Sequence, residues 1–338
     1  MTDYQTLIPV NIITGFLGSG KTTLLQRLLA SPKLANTAVL INEFGEVSLD
    51  HLLLDVVDRE TVILESGCVC CTIRGDLAEA IRALHSKRER GLIPRFDRLA
   101  IETTGLADPA PIVSTLLAEP VIRNHFRLGN VIVTIDAVNA ALHLRNNPES
   151  VKQAAIADRL VLTKTDLAEA GTVEQVKGAL LALNRSAPVI DTHDAMFDPD
   201  ELMASDVYDV VAKAAEVRRW LQHDERHDGH DHQSRHEGIR TFTLIVDHPV
   251  DWTAFGIWLS MLLHRHGERV LRVKGILNVE GQATPVIIHG VQHIVHPPAH
   301  LDAWPDEDRR SRIVFILRGL DPSLLKRSLR SFGSATRG

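Results

Sequence analysis

The spacing of hydrophobic positions alternates between two kinds of segment through the first part of the chain. Short continuous apolar runs predict buried strands at 8–14, 38–42, 61–64, 98–102, 130–136 and 159–163. Between them, apolar positions recur at helical spacing and predict helices at 22–30, 74–85, 109–117, 149–157 and 173–183. Buried strands that alternate with helices are typical of a mainly parallel sheet covered by helices on both faces. We therefore predict an α/β domain over residues 1–222.

This pattern breaks at residues 223–237, HDERHDGHDHQSRHE. The segment contains five histidines and lacks any large apolar side chain. Such a segment cannot contribute to a core, so a flexible linker is predicted there. Beyond it, strands are expected at 240–247, 270–279, 285–295 and 312–317, with a helix over 251–264 capped by Asp251 and a last helix that opens at Asp321-Pro322. Residues 238–338 are thus predicted to form a smaller α+β domain.

The composition narrows the range of possible functions but does not identify one. The chain has 338 residues, 44% of them hydrophobic, and a net charge of −6, which argues against bulk attraction to nucleic acid or to an anionic membrane. We see no signal peptide and no apolar run of the roughly 20 residues needed to span a bilayer, so a cytoplasmic protein is expected. The oligomeric state is left open.

A phosphate-binding loop is predicted directly after the first strand, where residues 15–23 read GFLGSGKTT. The pattern G-x-x-x-x-G-K-[ST] between a strand and a helix lets backbone N–H groups and the helix N-terminus face phosphates. Lys21 is expected to reach the β- and γ-phosphates and Thr22 to bind Mg²⁺. The nucleotide-binding residues of the loop are predicted to be Gly15, Gly18, Ser19, Gly20, Lys21, Thr22 and Thr23.

Glu102 ends the strand at 98–102 and is followed by Thr103-Thr104-Gly105. An acid at this point can hold Mg²⁺ through water or orient the attacking water. Together with Lys21 and Thr22 it completes the predicted catalytic set, and the alternative is a strand that happens to end in glutamate.

The strand at 159–163 runs into Thr163-Lys164-Thr165-Asp166. The Asp166 carboxylate can accept hydrogen bonds from both N1–H and the N2 amino group of guanine, and the stem of Lys164 can cover the base. GTPases usually have asparagine where this chain has Thr163. GTP is the favoured nucleotide, and a solvated turn is the alternative.

All three cysteines fall within four residues, at Cys68, Cys70 and Cys71. Thiolates select soft or borderline metals such as zinc and also accept cobalt, and three of them leave one tetrahedral position open for Glu43, Glu65 or water. A redox cluster and three inert thiols are the competing interpretations.

A switch segment that faces the γ-phosphate and Mg²⁺ is predicted at residues 42–50, and Glu43 and Asp50 are candidate metal ligands there. An acidic surface loop is the alternative. The linker histidines His223, His227, His230, His232 and His236 suit weak metal binding or an ordinary solvated linker. The other clustered histidines are expected on the surfaces of strands and helices, without a functional role. They are His264, His266, His289, His293 and His296.

These motifs together resemble the CobW-like family of metal-chaperone GTPases. The shared marks are GFLGSGKTT at 15–23, NEFGEV at 42–47, ESGCVCC at 65–71, E-x-x-G at 102–105, TKTD at 163–166, RVKGILN at 272–278, GVQH at 290–293 and Trp304-Pro305. The resemblance implies a P-loop GTPase domain, a C-X-C-C metal site and a C-terminal domain that helps to choose clients. Its members transfer zinc with GTP hydrolysis, or are tied to cobalt in cobalamin synthesis or nitrile hydratase activation.

The function predicted is therefore a GTPase that uses GTP and Mg²⁺ and delivers Zn²⁺, or Co²⁺, to a client metalloprotein, with the GTP state setting metal affinity. A nucleotide-responsive metal store or sensor without delivery is the first alternative. A small-molecule kinase is the second, and the TKTD element and the cysteines argue against it.

Overall fold

The computed structural model describes residues 6–42, 63–65, 73–204 and 238–335. The chain divides into two compact units, Met1–Lys177 with Pro188–Val207 and Gly178–Ala187 with Tyr208–Gly338. In the part of the chain that is described, no helix combines the length and the apolar character needed to cross a membrane.

The first unit is built on a seven-stranded parallel sheet, which confirms the α/β prediction. The strands are β1 Ile8–Gly15, β2 Thr37–Asn42, β3 Ile63–Glu65, β4 Arg98–Thr103, β5 Phe126–Asp136, β6 Arg159–Thr163 and β7 Val189–Asp191. Their order in the sheet is β3-β2-β4-β1-β5-β6-β7. β1 therefore lies between β4 and β5, and every residue of β1 except Pro9 is buried. A strand covered on both faces reads as a continuous apolar run, which is why the sequence located it.

Helices follow the strands and cover the sheet. They are α1 Lys21–Leu29, α2 Ile73–Glu89, α3 Ala110–Ala118, α4 Pro120–His125, α5 Ala140–Asn146, α6 Pro148–Ile156, α7 Ala170–Leu183 and α8 Glu201–Ala204. Apolar residues of α1 pack against the sheet, with Leu25 and Leu28 fully buried beside Ile13 and Ile132. The short elements α4, α5, α8 and β7 were not predicted, because they contain too few residues for a periodic pattern to stand out.

The second unit carries a six-stranded sheet ordered β11-β10-β9-β13-β8, with β12 paired to β10, and all its pairings are antiparallel. Its elements are β8 Ile239–Val246, α9 Trp252–His266, β9 Val270–Leu277, β10 Val286–Val291, β11 Ile294–Val295, β12 Ala299–His300, β13 Ser311–Arg318 and α10 Pro322–Ala335. Phe255 and Trp258 of α9 pack on Phe315 of β13 in the core of this unit. Asp251 caps α9 as predicted, since its Oδ1 accepts a hydrogen bond from the Ala254 N–H at 2.6 Å.

Two predictions for this unit are wrong. The single strand expected at 285–295 is a tight hairpin of β10 and β11, turned at Gln292, which has φ 50; apolar residues on both sides of the turn hide it in the sequence. His289 and His296, expected on element surfaces, are only 6% and 4% exposed. All six residues of β10 are buried because the strand has neighbours on both sides and covered faces.

Candidate nucleotide-binding site

The loop after β1 is closed by its own lysine. Nζ of Lys21 donates hydrogen bonds to the carbonyl oxygens of Gly15 and Phe16, both at 3.2 Å. Gly15 has φ 145, and a Cβ there would collide with Thr134 and with the Ser19 side chain. Ser19 in turn lies 2.6 Å from Thr134, hydroxyl to hydroxyl. Only glycine fits at position 15, and β5 thereby fixes the base of the loop. Gly18 and Gly20 also have positive φ, and Thr23 is exposed in the first turn of α1.

Thr22 and Glu102 are brought together from α1 and β4. The Thr22 hydroxyl donates to Oε1 of Glu102 at 2.7 Å, and Glu102 is 6% exposed. A hydroxyl and a carboxylate are oxygen ligands of the kind that Mg²⁺ prefers. The two residues therefore fit a magnesium ion at the edge of the phosphate loop. Thr22 would bind this ion directly, and Glu102 would hold it through water.

The segment after Glu102 is clamped from two sides. A Cβ at Gly105 would lie 2.6 Å from the Leu17 backbone nitrogen, so the segment packs directly on the phosphate loop. On the other side, Nε2 of Gln153 donates to Gly105 O at 3.2 Å and to Ala107 O at 2.9 Å. Gln153 lies on α6 and is 1% exposed. The sequence analysis missed Gln153, because a glutamine on a helix gives no motif.

The TKTD segment is tied to the same loop. The Thr163 hydroxyl donates to Ser19 O at 2.8 Å, so threonine connects this strand end to the phosphate loop at the position where GTPases usually have asparagine. Lys164 has φ 57 and its Nζ donates to Gly18 O at 2.7 Å and to Oδ2 of Asp136 at 2.8 Å. Its side chain is thereby held beside the phosphate loop.

Asp136 is a second residue that the sequence analysis missed. It is 3% exposed, its Oδ1 accepts from the N–H groups of Val138 and Asn139, and its Oδ2 accepts from Lys164 and from Asn139 Nδ2. Burial alone would raise the pKa of Asp136, but the hydrogen bonds from Lys164 and Asn139 outweigh it and hold that pKa below its usual value. An acid at the end of a buried strand was a usable signal, since the same rule identified Glu102.

Asp166 lies in the 3₁₀ turn Thr165–Leu167 directly after Lys164, with half of its side chain exposed. Its Oδ1 is 3.1 Å from Nε2 of His193, in the turn after β7. Lys21, Glu102 and Asp166 lie at or just after the carboxyl ends of β1, β4 and β6. They therefore meet at one edge of the parallel sheet, where ligands bind in open α/β folds.

The predicted metal ligands Glu43, Asp50, Cys68, Cys70 and Cys71 lie outside the described residues, as does the segment 223–237. Within residues 6–42, 63–65, 73–204 and 238–335, no group of three or more His, Cys, Asp or Glu side chains is placed to hold a metal ion. The cysteines and the two acids remain sequence predictions.

Two family models match the chain. The model described as the CobW/HypB/UreG nucleotide-binding domain matches residues 9–191, and the one described as the cobalamin synthesis protein CobW C-terminal domain matches residues 239–333. The first covers the sheet and helices that form the site, and the second covers the antiparallel unit.

Individual relatives agree with these models. The chain is 34% identical to the protein named zinc chaperone YjiA of Escherichia coli over 91% of this chain and 93% of that protein. It is 29% identical to the zinc chaperone CobW of Pseudomonas aeruginosa, over 96% and 91%. A crystal structure of zinc-bound YjiA GTPase from E. coli superposes with a TM-score of 0.69 at 28% identity, covering 96% of this chain and 99% of that one.

Proposed function

The chain belongs to the CobW family of P-loop GTPases, and we propose that it is a zinc metallochaperone whose GTP state controls the metal. In this proposal Cys68, Cys70 and Cys71 carry the zinc, and a client metalloprotein receives it. The observation that carries the nucleotide half is the convergence of Lys21, Thr22 with Glu102, and Asp166 on one sheet edge.

The groups around the phosphate loop each have a task in phosphoryl transfer to water. Lys21, released from the Gly15 and Phe16 carbonyls, neutralises the β- and γ-phosphates. Thr22 and Glu102 would hold Mg²⁺, which supplies charge compensation for the transferring phosphoryl group when bound. Gln153 keeps the segment 103–107 against the loop, so that the backbone near Gly105 stays beside the position of the γ-phosphate.

Guanine is the proposed base because Asp166 offers two acceptor oxygens, which suit the N1–H and N2 amino donors of guanine and not the edge of adenine. Lys164 is held beside the loop by Gly18 O and Asp136, which supports its role in covering the base. Thr163 fastens this element to the phosphate loop, so the base and the phosphates are recognised by connected parts of the chain.

Zinc is the proposed cargo, since thiolates bind it well and the curated relatives are named zinc chaperones. Cobalt is the alternative cargo on the same ligands. Three cysteines leave one position for Glu43, Glu65 or water, which suits a metal that has to leave again. The segments that carry these residues follow β2 and β3, neighbours in the sheet that presents the phosphate loop. Ordering of the switch segment by GTP can therefore change the geometry of the thiolates.

The test is a titration of Zn²⁺ and of Co²⁺ against the nucleotide-free, GDP-bound and GTP-analogue-bound protein. Coupling of this kind is typically about 1–3 kcal/mol, or roughly 5–150-fold in affinity, and must be reciprocal. Cys68→Ser, Cys70→Ser and Cys71→Ser should each weaken metal binding and remove the mutual effect, while GTP binding without metal is retained. Equal metal affinity in all three states would refute gating. Retention of the metal through GTP turnover with a client present would favour the store or sensor.

A further inference from the structure

His193 occupies a position beside the carboxylate proposed to read guanine. It lies in the turn after β7, and its Nε2 is 3.1 Å from Oδ1 of Asp166. Its other ring nitrogen, Nδ1, is 3.1 Å from the hydroxyl oxygen of Thr165 and 3.3 Å from that of Thr192. The backbone N–H of His193 donates to Oδ1 of Asp191 at 2.9 Å, which fixes the turn. Both ring nitrogens therefore lie close to polar side chains.

The two hydroxyls near Nδ1 are themselves held in place. Thr165 donates to Oδ1 of Asp191 at 2.6 Å. Thr192 donates to the carbonyl oxygen of Leu162 at 3.0 Å. The Nδ1 side of the ring therefore lies against two side chains that are fixed by their own hydrogen bonds.

The other ring nitrogen faces Asp166. This nitrogen, Nε2, can donate to the Asp166 carboxylate, whose two oxygens are acceptors. The turn that carries the ring is held by Asp191 of β7, and the ring therefore stands at a fixed place beside Asp166.

We propose that His193 is a positioning residue for guanine recognition. This inference rests on the proposed role of Asp166. Asp166 sits on a turn of only three residues with half of its side chain in solvent, so its carboxylate would otherwise rotate. The contact from Nε2 uses one lone pair of Oδ1 and leaves the remaining lone pairs of both oxygens for the two N–H donors of guanine. A preoriented acceptor pair binds its ligand more tightly because less freedom is lost on binding.

The experiment measures competition of GDP and ADP with a fluorescent guanine nucleotide on the full chain. His193→Asn should lower the GDP-to-ADP affinity ratio by about two- to fivefold, a modest factor because the pair is half exposed. His193→Arg, whose planar donors can contact the same carboxylate, should restore the ratio. His248→Asn, at an exposed histidine of the second unit, is the matched control and should behave as wild type.

An unchanged or increased ratio in His193→Asn would overturn the proposal. A His193→Arg variant that kept the lower ratio would also overturn it, because the donor to Asp166 would then be irrelevant. Asp166→Asn separates the two levels. If it leaves the GDP preference intact, the base-reading role itself fails. If it removes the preference and His193→Asn does not, only the role of His193 fails.

Discussion

Replacing Gln153 by leucine should both destabilise the first unit and slow GTP hydrolysis. The amide of Gln153 donates to the carbonyls of Gly105 and Ala107, and the side chain is 1% exposed. Leucine has nearly the same volume but no donor. The change therefore leaves two carbonyls without the donor that the helix now supplies, in a place where water has little access.

The magnitude follows from the hydrogen-bond accounting. Each buried carbonyl left unsatisfied costs about 1–3 kcal/mol. Oε1 of Gln153 has no hydrogen-bond partner among the described residues. Leucine removes this unsatisfied acceptor, which stabilises the folded state by about 1–3 kcal/mol and offsets part of the loss. The net destabilisation should be about 1–3 kcal/mol, which corresponds to about 2–4 °C in Tm for each kcal/mol in a unit of this size.

Two assays check this, thermal unfolding followed by circular dichroism and steady-state GTP hydrolysis. The segment 103–107 faces the phosphate loop through Gly105 and Leu17, so its displacement should lower kcat by about tenfold or more. KM should change less, because Lys21 and Asp166 still bind the nucleotide.

Ser150→Ala is the matched control on the same helix. Ser150 is 3% exposed, and its hydroxyl has no hydrogen-bond partner in the described part of the chain. Alanine removes that unsatisfied group, so Tm should stay level or rise and kcat should be unchanged. If Gln153→Leu left both Tm and kcat at wild-type values, the clamp described here would carry no energy and the reasoning would be refuted.

Three further changes test other parts of the molecule. Asp136→Asn should cost about 1–3 kcal/mol of stability at neutral pH, because its amide would face the Lys164 ammonium. The pKa of Asp136 is lowered in the folded protein, so the wild type loses this stabilisation in acid. The difference in stability between the two proteins should therefore shrink as the pH falls below about 4 in acid-unfolding titrations. Lys21→Ala should remove most GTP affinity with an unchanged circular dichroism spectrum, and retained affinity would contradict the loop assignment. Deleting 223–237 should leave GTP hydrolysis intact and reduce only the weakly bound zinc in equilibrium dialysis, so loss of the tight zinc would argue against the cysteines.

The residues that sequence reasoning located share one property: each follows a buried strand within a few positions. Gly15 and Lys21 follow β1, Glu102 ends its strand, and Asp166 follows β6. The apolar run marks the strand, and parallel topology then places the strand ends together. Short motifs were therefore sufficient to predict the fold of the first unit, and the roles of the site residues that they name stay predictions.

The residues that were missed act over long sequence distances. Gln153 reaches a carbonyl 48 residues away, and Lys164 reaches Asp136 across 28 residues. His193 meets Asp166 only because β7 is paired to β6. No local spacing encodes such contacts, since they depend on which strands become neighbours. The buried His289 and His296 have the same origin: their burial follows from the position of β10 inside its sheet, not from the residues beside them.

The central position of β1 has a consequence for the biosynthesis of the protein. Its partners in the sheet begin at Arg98 and Phe126, so β1 is synthesised before either neighbour and waits for both. At about 5–20 residues per second, an apolar strand with two open edges persists for several seconds in the nascent chain. A chain interrupted before β5 cannot close the base of the loop, because Thr134 is missing beneath Gly15 and Ser19. GTP can therefore assist the folding of this unit only after synthesis has passed β5.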